Sequence, residues 1–466
     1  MKKPIEKLFA HKDDKIIHVI GIINENELKT AFIVDKNKKL LGIVNDGDIR
    51  RAILKNISLT EPVEKIMSKT FFVAKEGVSE TEILETIIRH KIFILPILNN
   101  MKQVVDYYQI TDFIKDEFLK ETVKTKTKPE TSKKILVTGG AGYIGSTLVR
   151  ILLDSGYSVR VLDNLSFGIS AIKELESNPY FELIQGDYTK IEDLLPCLKN
   201  IFAVIHLAAI VGDPAGNINP ELTLETNFHG VKILAEFCKY YGIDRFIFTS
   251  TCSVYGASDN ELLTENSNLN PVSLYAETKL KAEKSLVELK SNNFHPCILR
   301  LATVFGLSYR MRFDLVVNLL TALAVKNKEI SIFSGEQWRP FVHVKDIANA
   351  ILNIVNQPVE KVSGQIFNIG KEENNYQIKD LGNFIKKMFP GIKVNKINSK
   401  EDQRSYRVSF DKSHKILNFK PEIDLEQGIN EIFEFVKKTD VNIKDNQYSN
   451  FKKVQCGIFD SIYFAE

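Results

Sequence analysis

Residues 133–164 read KKILVTGGAGYIGSTLVRILLDSGYSVRVLDN. Ile135, Leu136 and Val137 form a continuous apolar run, the pattern of a strand buried on both faces. Gly139, Gly142 and Gly145 follow at three-residue spacing, and a helix is predicted to begin near Tyr143. Glycine is required there for steric reasons: the turn is tight, the backbone must approach a pyrophosphate, and the helix must lie close on the strand. The N–H groups of the helix start then face the phosphates, which makes Tyr143 and Ile144 candidate contacts beside the glycines. A second strand, Ser158 to Leu162, ends at Asp163, where a dinucleotide-binding unit places the carboxylate that holds ribose hydroxyls. A carboxylate accepts hydrogen bonds from a 2′-OH and repels a 2′-phosphate. NAD is therefore expected rather than NADP, with Asn164 beside the acid.

Further along, FIFTSTCSVYG (residues 246–256) reads as an apolar strand ending in hydroxyl residues, and SLYAETKLKAEK begins a helix. Tyr275 and Lys279 are four apart on it, so both lie on one face. A free phenol with a pKa near 10 is a poor base at neutral pH. A neighbouring ammonium and a positive nicotinamide would favour the phenolate. Tyr275 could then take a proton from a carbinol as hydride leaves, with Thr251 on the substrate oxygen and Lys279 on the nicotinamide ribose.

The GGAGYIG form resembles that of the extended short-chain dehydrogenases, the nucleotide-sugar epimerase/dehydratase group, over about 300 residues. The resemblance implies a Rossmann-type doubly wound parallel sheet with a small C-terminal α/β part that binds the substrate. It also implies cofactor roles for Gly186 and Asp187 near the adenine, for Leu207, Ala208 and Ala209 at a strand end, and for Asn227 as a steadying residue. Arg339 matches the family arginine that pairs with the substrate diphosphate, a task suited to a guanidinium fork. His343 and Asp346 are expected to stabilise the turn into the next helix. Thr303 stands where galactose-type 4-epimerases have Asn. A second family arginine is missing near Ser399, with Arg404 or Arg407 as its replacement, and Phe313 and Asp314 fall where the base is expected. The 4,6-dehydratases carry Asp and Glu where this chain has Cys252 and Ser253, which argues against dehydration. Cys252 is expected to be a packing residue.

Residues 1–122 contain an internal repeat: TAFIVDKNKKLLGIVNDGDIRRAIL and IFILPILNNMKQVVDYYQITDFI each read as strand, polar turn, strand and an acidic helix start. This α+β unit resembles a tandem CBS-domain pair, closest to pairs fused to sugar-nucleotide-forming transferases. The resemblance implies an adenine nucleotide held through Asp48 and its rough counterpart Asp112, although Asp48 is equally a good helix cap and such pairs also serve only for dimerisation. Residues 123–133 read as a Lys/Thr/Pro-rich linker, residues 134–440 as the enzyme, and 441–466 as a tail with no assigned place.

With 44% apolar and 26% charged residues the chain is of soluble globular type, and at 466 residues it calls for more than one domain. A net charge of +3 is too small to argue for nucleic acid or an anionic membrane, and neither is expected as a partner. No apolar run reaches the roughly 20 residues of a bilayer helix, and the N-terminus lacks the pattern of a secretion signal. A cytoplasmic homodimer is expected. The five cysteines show no CxxC pair, so neither zinc nor a disulfide framework is expected. The leading functional expectation is an NAD-dependent nucleotide-sugar 4-epimerase. A nucleotide-sugar dehydrogenase or 4-ketosugar reductase is the alternative, and a nucleotide sensor without catalysis the reading from another class.

Overall fold

The computed structural model describes residues 4–26, 28, 30–45, 48–49, 52, 57–89, 92, 94–109, 133–333, 335–397, 404–439 and 441–451. The chain divides into two compact units, residues 1–129 and 130–466.

The first unit repeats one motif. Strands β1 (Phe9–His11), β2 (Thr30–Val34) and β3 (Leu40–Asn45) form a sheet with β1 parallel and β3 antiparallel to β2. Strands β4 (Ala74–Lys75), β5 (Ile94–Leu98) and β6 (Val104–Gln109) repeat that arrangement. The turns match as well. Lys38 and Lys102 adopt left-handed backbone at φ 60° and 62°, a conformation unfavourable for a side chain with a Cβ. Each turn offsets that with an Asx-type brace. Asp35 Oδ1 accepts from Asn37 and Lys39 N–H at 2.8 and 2.9 Å, and Asn99 Oδ1 accepts from Met101 and Gln103 N–H, both at 3.0 Å. The halves share a buried cluster of Leu8, Phe32 and Val34 with Ile94, Val104 and Tyr107, so neither buries its apolar face alone. Asp112 lies outside the described residues.

The second unit is built on a seven-stranded, all-parallel sheet of β7 (Lys134–Thr138), β8 (Ser158–Asp163), β9 (Phe181–Gln185), β10 (Ala203–His206), β11 (Arg245–Thr251), β12 (His295–Leu301) and β15 (Ile366–Ile369). Their order across the sheet is β15-β12-β11-β10-β7-β8-β9. The strand order reverses between β7 and β10, and such a reversal opens a crevice at the carboxyl ends of the strands. Helices α1 (Ile16–Asn26) and α2 (Glu80–Arg89) belong to the first unit; in the second, α3 (Tyr143–Asp154) leaves β7 through the glycine turn, α4 (Val231–Tyr240) precedes β11, and α5 (Leu274–Leu289) carries the Tyr/Lys pair.

A second core joins α6 (Val316–Asn327), α7 (Ile378–Met388) and α8 (Leu425–Lys438) to short strands β13 (Glu329–Phe333) and β14 (Trp338–His343). The tail left unplaced by the sequence lies on this core through residue 451. Val441 is buried there, Ile443 and Tyr448 lie against it, and Phe313 N–H donates to the Tyr448 carbonyl at 2.9 Å. No helix among the described residues is long and apolar enough to cross a membrane. Nor do the described residues contain a His/Cys/Asp/Glu group placed to hold a metal ion.

Candidate active site

The crevice opens into a cavity of about 920 Å³, at the upper end of small-ligand sites. Its floor is the glycine turn. Gly139 takes φ +78°, and a Cβ there would come within 2.7 Å of Ala208 N; a Cβ on Gly145 would meet the Gly139 carbonyl at 2.3 Å. The two strand ends and the start of α3 therefore lie as close as backbone allows, with helix N–H groups at the cavity floor. Gly142, Ile144, Asn164, Gly186, Asp187, Leu207, Ala208 and Ala209, expected from the sequence at the cofactor, all line the cavity.

Asp163 lines it too, its oxygens accepting N–H groups of Ala141 and Leu165, each at 2.9 Å. Burial raises its pKa against those bonds. A carboxylate has about four acceptor sites, so two stay available for ribose hydroxyls. Backbone turn, helix start and acid together fit a dinucleotide.

Two predicted cofactor contacts have further tasks. Tyr143 lines the cavity, but its hydroxyl donates to the Gly306 carbonyl at 2.6 Å and accepts from Asn318 Nδ2 at 3.1 Å. Its ring belongs to the second core, so it ties the glycine turn to the substrate part. Asn227 does not line the cavity. It sits in a π-helical turn (Glu225–Gly230), fully buried, and exchanges two 2.9 Å hydrogen bonds with the backbone of Ile210. It fixes the loop after β10 from behind.

Thr251, Tyr275 and Lys279 are brought together at the ends of β11 and α5. Ser273 caps that helix by accepting from Ala276 N–H, and its hydroxyl donates to Asp213 at 2.6 Å. The electrostatics differ from the sequence expectation. Lys279 Nζ donates to the Thr249 carbonyl at 2.7 Å, and burial pulls its pKa down to about 7, with Glu283 opposing. Burial pushes Tyr275 well above the ordinary phenol range; a hydrogen bond from Thr251 is the largest opposing influence, followed by the Arg312 charge. Desolvation thus outweighs the influences that favour the phenolate, which are Thr251 and Arg312 rather than the expected Lys279.

Beneath the site, Arg300 and Glu283 form an ion pair 2.8 Å apart, both side chains 2% exposed. Ser250 donates to Glu283, and Arg300 also donates to Tyr255 Oη at 3.1 Å. This network joins α5 to the end of β11. Cys252 points away from the cavity, its thiol donating to the Arg300 carbonyl at 3.3 Å, and burial pushes its pKa far up. Ser253 lines the cavity, within 3.2 Å of Tyr406 Oη.

On the substrate side Thr303, Arg339 and Arg404 line the cavity. Arg339 is 5% exposed, donates to the carbonyls of Trp338 and Arg404 and lies 5.3 Å over the Tyr406 ring. Arg404 pairs with Asp213 at 2.8 Å, whereas Arg407 stacks on Trp338 and is not a cavity residue. Asp314 lines the cavity in a bidentate pair with Arg312 at 2.9 and 3.0 Å. Phe313 does not: it is 3% exposed, edge-on to Tyr448 in the second core. As expected for helix-turn residues, His343 Nδ1 accepts from Lys345 N–H, while both Asp346 oxygens accept backbone N–H groups of residues 422 and 423.

Sequence reading missed Arg310, Arg312, Asp213, Tyr406 and Asn450, all in the cavity wall. The alternating arginines of SYRMR (308–312) are a signal that could have been read. Nothing local marks Asn450.

A family model described as NAD dependent epimerase/dehydratase matches residues 135–370, and one described as CBS domain matches residues 1–55. A putative UDP-glucose 4-epimerase of Methanocaldococcus jannaschii is 32% identical over 310 residues, 65% of this chain and 98% of that protein. UDP-glucuronic acid decarboxylase 1 of Xenopus tropicalis is 27% identical over 326 residues, 68% of this chain and 75% of that protein. Among solved structures, the UDP-glucuronic acid 4-epimerase of Bacillus cereus, in complex with UDP-glucuronic acid and NAD, is 30% identical with a TM-score of 0.59. That likeness covers 66% of this chain and 99% of the other.

Proposed function

Since the chain belongs to the NAD dependent epimerase/dehydratase family, we propose that its second unit is a nucleotide-sugar 4-epimerase, with UDP-hexoses and UDP-uronates the first candidates. NAD, when bound, supplies the acceptor that takes the C4 hydride and gives it back. Tyr275 removes the C4 hydroxyl proton and later returns it, while Thr251 holds the oxygen. Lys279 holds the nicotinamide ribose. Arg339 and Arg404 hold the diphosphate. The observation that carries this reading is the cavity wall around Tyr275. It has the complete Thr/Tyr/Lys set, while the neighbour positions 252 and 253 offer a thiol turned into the core and a hydroxyl instead of an acid–base carboxylate pair.

The test is incubation of the purified protein with UDP-, GDP-, CDP- and dTDP-hexoses and hexuronates, following product by NMR, NADH by absorbance and released carbon dioxide. Conversion of a substrate to its C4 epimer without net NADH supports the reading. Stoichiometric NADH formation or consumption would make the protein a dehydrogenase or ketosugar reductase, and carbon dioxide release a decarboxylase. Tyr275→Phe should lower turnover by about 10²- to 10⁴-fold, the usual contribution of a positioned acid–base group, while the protein still retains its dinucleotide.

A further inference from the structure

Arg310 is a buried cation of the cavity wall with partners on three segments of the chain. It is 6% exposed, lies 3.9 Å over the ring of Phe167 on the loop after Asp163, and is electrostatically coupled to both Asp163 and Asp314. Two of its donors are held by residues more than a hundred positions away: Nη1 donates to Asn450 Oδ1 at 2.8 Å and Nη2 to the Gln447 carbonyl at 3.3 Å. The Asn450 backbone N–H in turn donates to Asp314 Oδ2 at 2.8 Å, the carboxylate that Arg312 grips. Asn450 is 8% exposed and lines the cavity itself. Arg310 Nε is buried without a hydrogen-bond partner among the described residues. A buried guanidinium with an unused donor, beside a cavity whose floor fits a dinucleotide, is suited to an oxyanion.

We propose that Asn450, the residue of segment 441–451 that reaches the wall of the catalytic cavity, is a positioning residue that holds Arg310 as a clamp on the diphosphate of a bound nucleotide. The diphosphate belongs either to the dinucleotide or to the nucleotide sugar, and the Phe167 contact lies on the dinucleotide side. Asn450→Ala removes the closer of the two acceptors and leaves Arg310 held only by the 3.3 Å bond to the Gln447 carbonyl and the Phe167 ring. Asn450→Asp keeps an acceptor at the same place. The choice between epimerase and its rivals does not enter this proposal; only its second arm rests on a nucleotide-sugar substrate.

The experiment measures three quantities on the full chain: NAD retained through purification with the release rate of bound NADH, affinity for whichever of UDP, GDP, CDP and dTDP binds the wild type best, and melting temperature. In Asn450→Ala we expect one ligand to weaken by about tenfold, or 1.4 kcal/mol, with the melting temperature unchanged. Faster NADH release identifies the dinucleotide as the clamped group, and weaker nucleoside-diphosphate binding identifies the substrate. Asn450→Asp should restore much of the loss. Unchanged affinities for both ligands overturn the proposal. So does a joint loss that merely follows a lowered melting temperature and that Asn450→Asp does not relieve, which would make Asn450 part of the scaffold only.

Discussion

Tyr275 and Lys279 carry opposite effects of one cause. Burial disfavours the charged form of each, raising the phenol and pulling the amine down to about 7. The Thr251 hydrogen bond is the chain's largest correction toward the phenolate, so its loss raises the Tyr275 pKa further. Thr251→Val should shift the rising limb of the kcat/KM–pH profile upward by about one pH unit, the scale of a charge-assisted hydrogen bond; an unmoved limb would show that another group sets it. For Lys279 the sign works on stability. The folded protein releases this proton near pH 7, while the unfolded chain keeps it to its ordinary 10.5. The unfolded state binds more protons between those values, so this group makes stability rise with pH across that window. Lys279→Met should flatten that rise in urea titrations at pH 7 and pH 9. The Tyr/Lys pair was legible because a four-residue spacing is local. The SYRMR stretch marks Arg310 as a charge, but not its anchoring, which depends on a residue 140 positions away.

The glycine turn and the helix it launches are the element with least slack. A Cβ on Gly145 would overlap Gly139 O at 2.3 Å and Gly140 Cα at 2.6 Å, so Gly145→Ala must lift α3 off β7. We expect a loss of about 1–3 kcal/mol, as for an overpacked core, together with loss of retained NAD; a variant that melts as wild type and keeps its dinucleotide would contradict this packing. A second element under constraint is the junction of α5 with β11, held by Glu283 and Arg300. Arg300→Met would leave Glu283 buried without its partner, at a cost of about 3–5 kcal/mol, measurable as a lowered urea midpoint. Strand β7, the turn, α3 and β8 were readable to within a residue, since steric need and hydrophobic pattern coincide there. The place of Tyr143 was not: position beside the glycines predicts a cofactor contact, and only the folded chain shows its hydroxyl tied to Gly306. The tail was opaque for the same reason, as Val441 and Tyr448 follow no period and find their partners only in the assembled second core.

At the scale of the whole molecule, two units with separate cores imply separable tasks. Residues 130–466 alone should retain NAD and melt cooperatively, and a fragment that aggregates without dinucleotide would show that the first unit is required. In that first unit the Asn45 N–H already donates to Asp48 Oδ2 at 2.9 Å and the Asp48 N–H to Asn45 Oδ1 at 3.1 Å, the arrangement of a helix start. Titration of AMP, ADP and ATP into the full chain, and into Asp48→Ala, asks whether that turn also holds a ribose. The doubled motif was legible in the sequence because both copies keep the strand–turn–strand pattern, whereas the family model reaches only the first. One long tie has a consequence in time. The Tyr143 hydroxyl and carbonyl are fixed by Gly306 and Ser308, 163 and 165 positions later. Contacts of such separation form late because they close long loops. During refolding, capture of NADH fluorescence should therefore lag behind recovery of helix and sheet, which makes the dinucleotide a clock for the last step of folding.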